Sequence, residues 1–140
     1  MKRGVFSMAV NNPYQAYQQN SVTQSSPGEL TLMLYNGCLK FLNQAKKGIE
    51  AKDIELKNTN IQKAQNILRE LMVTLDMSVP VSKSMLSLYE YMINCLMEAN
   101  IHNDISKVDE VVGYTTEFRD TWKQVIQMNR QKQYGSTGEI

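Results

Sequence analysis

The chain has 140 residues, 42% of them hydrophobic, and its 15 basic side chains against 14 acidic ones leave a formal net charge of +1. That length suits one domain with a real core. So small a net charge removes any general electrostatic pull toward nucleic acid or anionic lipid. No stretch supplies the roughly 18 consecutive apolar residues of a membrane span, and residues 1–10 lack the apolar run of a secretory signal. The sequence therefore predicts a cytoplasmic protein with no nucleic-acid partner and no membrane insertion. Cys38 and Cys95 fall inside helical patterns, and with no signal they read as buried thiols of a reducing compartment rather than a disulfide.

Residues 1–25 are rich in Asn, Gln and Ser and read as a flexible or capping N-terminal segment, in which Met8 can serve as an initiator. Tyr14 and Tyr17 are three apart, so a helical turn sets them on one side, either to plug the end of the main body or to cover a groove on it.

The first strong helix signal is Ser26-Pro27-Gly28-Glu29. Ser26 as N-cap with Glu29 three residues on is the capping-box pattern, and Pro27 fits the first helical position. The helix should run to about Ala51. Leu30, Leu34, Cys38, Phe41, Ala45 and Ile49 form one stripe at helical spacing, and Leu32, Tyr35, Leu39 and Leu42 form a second. Two stripes are more apolar surface than one core-facing side needs.

Asp53 can cap a second helix whose rhythm is Ile61, Ala64, Leu68, Leu71 and Leu75, fading near Met77 because Pro80 biases Val79 toward extended backbone. Ser82 is the expected cap of a third helix carrying Met85, Tyr89, Met92, Leu96 and Ala99. Asn103 and Asp104 offer a turn and a new cap. The fourth helix carries Val108, Val111, Thr115, Phe118, Trp122 and Val125 and should end between Met128 and Gly135. Only three prolines interrupt the chain, and no alternating strand pattern competes. The expected fold is all-α: an antiparallel four-helix bundle over residues 26–133 with a frayed tail at 134–140.

Catalysis finds little footing in this pattern. His102 is the single histidine, whereas a di-iron bundle needs two Glu-x-x-His pairs. Cys95 and His102 are seven apart, about 10 Å along a helix and beyond hydrogen-bond reach. No phosphate-cradling glycine loop is present. No enzyme activity, metal or cofactor is expected. What remains is apolar surface. Leu32, Leu39, Leu56, Met72, Leu88 and Met97 are either core or the lining of a groove for another chain, for which flexible methionine thioethers are suited. The same surface can also seal a homodimer.

The run Asn12-Pro13-Tyr14-Gln15-Ala16-Tyr17-Gln18-Gln19-Asn20-Ser21-Val22, followed by Ser26-Pro27-Gly28-Glu29-Leu30-Thr31-Leu32-Met33-Leu34-Tyr35-Asn36-Gly37-Cys38-Leu39-Lys40-Phe41, resembles the FliS family of flagellar export chaperones. Residues 64–71 (AQNILREL) and 118–123 (FRDTWK) are similar to that family too. The resemblance implies a cytoplasmic four-helix bundle that binds the disordered C-terminal segment of flagellin, prevents premature polymerisation and contacts the export-gate protein FlhA when loaded. It implies that the Tyr14/Tyr17 segment caps the binding site or touches cargo. Leu32, Leu39, Met72, Leu88 and Met97 are the groove candidates, chosen on apolar excess.

Overall fold

The computed structural model describes residues 27–138, and side chains from 28 to 131. Four helices follow one another: α1 (Pro27–Ala51), α2 (Ile54–Val73), α3 (Pro80–His102) and α4 (Ile105–Gly138). Helix α1 packs on α2 and α4, and α3 packs on α2 and α4, so the four close a ring. Alternation of direction follows from short connections and is visible in cross-links. The ion pair of Arg130 with Glu29 joins the far part of α4 to the start of α1, and that of Lys46 with Asp109 joins their other ends. This is the antiparallel four-helix bundle expected from the apolar rhythm.

The core draws on every helix. Leu34, Cys38, Phe41, Leu42 and Ala45 of α1 meet Ile61, Ala64, Ile67, Leu68 and Leu71 of α2, with Tyr89, Met92, Cys95, Leu96 and Ala99 of α3 and Val108 and Val111 of α4. Both α1 stripes are used, because α1 is covered by α2 on one side and α4 on the other. At mid-bundle the Tyr35 and Tyr89 hydroxyls share a 2.8 Å hydrogen bond. Phe118 stacks on Tyr35 and tilts against Tyr89, each at 5.8 Å between ring centres. Burial pushes the Cys38 thiol up to about 12, and it raises both tyrosines from their ordinary value. Buried phenols need partners, and here each supplies the other.

Some helix ends lie where the local capping chemistry puts them, and others are moved by packing. Asp53 caps α2, its Oδ1 accepting the Leu56 N–H at 3.1 Å. The Asn103–Asp104 turn is also as expected: Asn103 is left-handed (φ 54), and Asp104 Oδ1 accepts from the Ser106 N–H. The Ser26 cap lies outside the described residues. Helix α2 stops at Val73, before Met77. Val79 is extended (φ −87, ψ 128), as a residue before proline should be, but Pro80 opens α3 rather than merely closing α2. Ser82 is therefore not the cap. It is buried inside the first turn, where its hydroxyl donates to the Asp76 carbonyl at 2.6 Å. Proline suits a first helical turn because its missing N–H has no partner there in any case. Helix α4 continues to Gly138, beyond the Met128–Gly135 window, since nothing after Met128 is a proline and a single glycine costs a helix only about 1 kcal/mol.

Candidate protein-binding surface

Tyr14 and Tyr17 lie outside the described residues. The five groove candidates separate once packed. Leu39 is buried, 8% exposed, one turn along from Tyr35; such a side chain already has its neighbours and has little left to offer a partner. Leu32 is half-buried on α1. Met72 and Leu88 are half-buried and rest on the core cluster. Met97 stands in solvent at 48% exposure.

Met97 has company that its spacing alone did not flag. Ile101, one helical turn further along α3, is 66% exposed, and Ile54 at the start of α2 is 69% exposed. Helix geometry puts residues four apart on one face, so Met97 and Ile101 form one apolar ridge. Behind it the α2–α3 seam is polar: Gln65 Nε2 donates to the Ile93 carbonyl at 3.1 Å, and Lys57 Nζ donates to the Asn100 carbonyl at 3.0 Å and to Asn103 Oδ1 at 2.7 Å. The seam is thus fixed by side chains that satisfy backbone groups, while the ridge beside it is not spent on the core. At the opposite end, Val73, Met77, Val79 and Val81 are exposed around the α2–α3 connection.

The α3–α4 side has a different character. The Tyr91 hydroxyl donates to Glu110 Oε2 at 2.5 Å, and Tyr114 donates to the same oxygen at 3.4 Å. Their rings meet edge to face at 6.4 Å. The hydrogen bond to the Glu110 carboxylate raises Tyr91 above its ordinary value, so the phenol keeps its proton. Tyr91 is exposed, and sequence reading passed over it because it sits off the narrow stripe of α3.

A cavity of about 390 Å³ lies at the corner where α1 turns into α2, with Ile49, Lys52, Asp53, Ile54, Lys57 and Asn103 on its walls. Its shape follows from the chain reversal. The Asp53 N–H bonds the Gly48 carbonyl at 2.8 Å and the Lys52 N–H bonds the Ile49 carbonyl at 3.2 Å. That pair of bonds is the Schellman way of ending a helix, and it needs a left-handed residue, here Lys52 (φ 58). Gly48 permits the close approach behind it: a Cβ there would lie 2.5 Å from the Lys57 nitrogen.

Among the described residues no cluster of three or more His, Cys, Asp or Glu is placed to hold a metal, and no helix is long and apolar enough to cross a membrane. What the described surface presents is the Met97–Ile101 ridge, the Tyr91–Tyr114 pair and a cavity with Lys52 and Lys57 on its walls.

Known proteins match this chain along most of its length. The family model for the flagellar protein FliS matches residues 10–129. The chain is 56% identical over 131 residues to the flagellar secretion chaperone FliS of Bacillus subtilis (strain 168), covering 94% of this chain and 98% of that one. It is 32% identical over 119 residues to the flagellar secretion chaperone FliS of Escherichia coli (strain K12), covering 80% and 88%. A crystal structure of a bacterial flagellar chaperone is similar at a TM-score of 0.67 and 17% identity, covering 82% of this chain and 95% of that one, a likeness that speaks to the fold.

Proposed function

The chain belongs to the FliS family of flagellar secretion chaperones, and from that membership we propose that it holds flagellin for export: it binds the disordered C-terminal segment of newly made flagellin in the cytoplasm, prevents premature polymerisation, and brings the loaded complex to FlhA at the export gate. The observation that supports this reading is the Met97–Ile101 ridge, apolar side chains left in solvent outside the core. A client that covers them finishes the burial.

The thermodynamics suit a carrier. A protein that binds the assembly-competent segment lowers its free concentration by mass action. A segment that orders only on contact gives up conformational entropy, which limits affinity for a given buried area. Firm but separable binding follows, and release at the gate does not require the bundle to unfold. Tyr14 and Tyr17 are assigned to cap the binding surface or to touch the client. Deleting residues 1–20 is expected to change client affinity or the solubility of the empty chaperone; no change in either removes that role.

Calorimetry with a peptide of the flagellin C-terminal segment tests the main reading. Heat with saturation and a negative heat-capacity change is expected, the mark of apolar burial. A flat titration with folded protein would end it. Sedimentation across a concentration series reads the competing use of the same ridge, since a tight dimer that flagellin peptide does not disturb assigns the ridge to self-association.

A further inference from the structure

We propose that the cavity at the α1–α2 corner is a carboxylate seat that receives the chain end of the client polypeptide; this rests on the flagellin reading above and names a contact within it. Lys57 is the central observation. It is 7% exposed, yet it carries an ammonium group on a cavity wall. Two of its hydrogens are accounted for by the Asn100 carbonyl and Asn103 Oδ1. A lysine has three donors, and a charge this deep is favoured when an anion completes its shell.

A second lysine shares the wall in an unusual backbone state. Lys52 occupies the left-handed position that closes α1 (φ 58), a place where glycine is the normal occupant because a Cβ is penalised there. Lys52 lines the same cavity. Asp53 also lines it, with Oδ1 accepting the Leu56 N–H, so the walls hold two lysines against one carboxylate, one of whose oxygens is already used. Asn103, its oxygen turned to Lys57, has N–H donors to offer. The balance of the walls is anion-accepting.

Size selects the kind of anion. About 390 Å³ is at the low end for a small-ligand site, and it cannot take a helix, whose diameter with side chains is about 10–12 Å. A single chain end fits. Ile49 and Ile54 supply apolar wall beside the two lysines, the combination that a terminal residue with a free carboxylate presents in reverse. Capture of a C-terminal carboxylate is an established mode of peptide recognition.

The test compares flagellin C-terminal peptides that end in a free carboxylate or in an amide, titrated into the full-length protein. Amidation is expected to weaken binding about tenfold or more, the scale of one charged hydrogen bond in a partly buried site. Lys52→Gly is expected to shrink the difference between the two peptides, and Lys57→Met to abolish it; the first variant guards against a folding defect in the second. Equal affinities of the two peptides for the unaltered protein overturn the seat while leaving the client reading intact. No binding of either peptide overturns both.

Discussion

Tyr35 and Tyr89 show how much a single pair of atoms decides inside this bundle. Their 2.8 Å hydrogen bond spans α1 and α3 beneath Phe118. Tyr35→Phe keeps the ring and strands the Tyr89 hydroxyl, so a loss of about 1–3 kcal/mol is expected. The double change, Tyr35→Phe with Tyr89→Phe, strands nothing and is expected to cost less than the two single changes added together. Urea unfolding of the four proteins reads that coupling directly; additive losses would mean the bond contributes little. The same region sets a pH limit. Burial raises Cys38 from 9.0 to about 12 and raises both tyrosines. A group whose pKa is raised in the folded state contributes stability that is intact below its unfolded pKa and is lost as pH climbs through the folded one. The unfolding free energy from urea titrations is therefore expected to hold to about pH 8.5 and then fall, by about 1.4 kcal/mol per pH unit for the Cys38 thiol alone above its unfolded pKa. Cys38→Ala, compared with its parent at each pH, is expected to flatten part of that fall.

The helices were legible because period and caps agree. The α2 start at Asp53 and the Asn103–Asp104 turn could be read directly, since a capping carboxylate and a left-handed asparagine are local chemistry. Two boundaries were not local. Pro80 signals a break equally well from either side, and only the packed structure assigns it to the start of α3 and turns Ser82 inward to the Asp76 carbonyl. The end of α1 was hidden for another reason: its left-handed residue is Lys52, which carries none of the usual glycine signal. That choice has a measurable consequence. Lys52→Gly removes the left-handed penalty at a position that accepts glycine, offset by glycine's greater freedom when unfolded, and is expected to raise stability by up to about 1 kcal/mol in urea unfolding. Gly48→Ala is expected to do the opposite, by about 1–3 kcal/mol, because its Cβ would strike the Lys57 backbone at 2.5 Å, where no flexible side-chain end can move aside. A stabilised Lys52→Gly protein whose preference for a free chain end has shrunk would tie the strained residue to binding rather than to folding.

At the scale of the molecule, closure of the ring decides which apolar residues are spare. A helix packed closely along both neighbours, as α1 is on α2 and α4, can bury two stripes, and for that reason Leu39 sits inside although its position suggested a groove. Hydrophobic count along the chain cannot distinguish such a helix from one with a free face; the distinction is tertiary. Helix α3 also lies between two helices but packs on them less extensively, and Met97 and Ile101 are left in water after Tyr89, Met92, Leu96 and Ala99 have filled the core. Only Met97 of that pair stood out in the sequence, because a ridge of two residues is too short to show as a stripe. These placements give opposite forecasts for stability and binding. Leu39→Ala removes a buried side chain and is expected to cost about 2–5 kcal/mol of folding stability. Met97→Gln with Ile101→Gln alters side chains already in solvent, so stability should move by no more than about 0.5 kcal/mol for each. If the ridge is where flagellin rests, that pair should nevertheless weaken the C-terminal peptide by about tenfold or more, since well-packed apolar anchors carry most of an interface's energy. Urea unfolding and calorimetry on the same preparations separate the two effects. A double variant that stays folded and binds flagellin peptide as tightly as its parent would move the client off α3, to the exposed group around Met77 and Val79 or to the Tyr91–Tyr114 face.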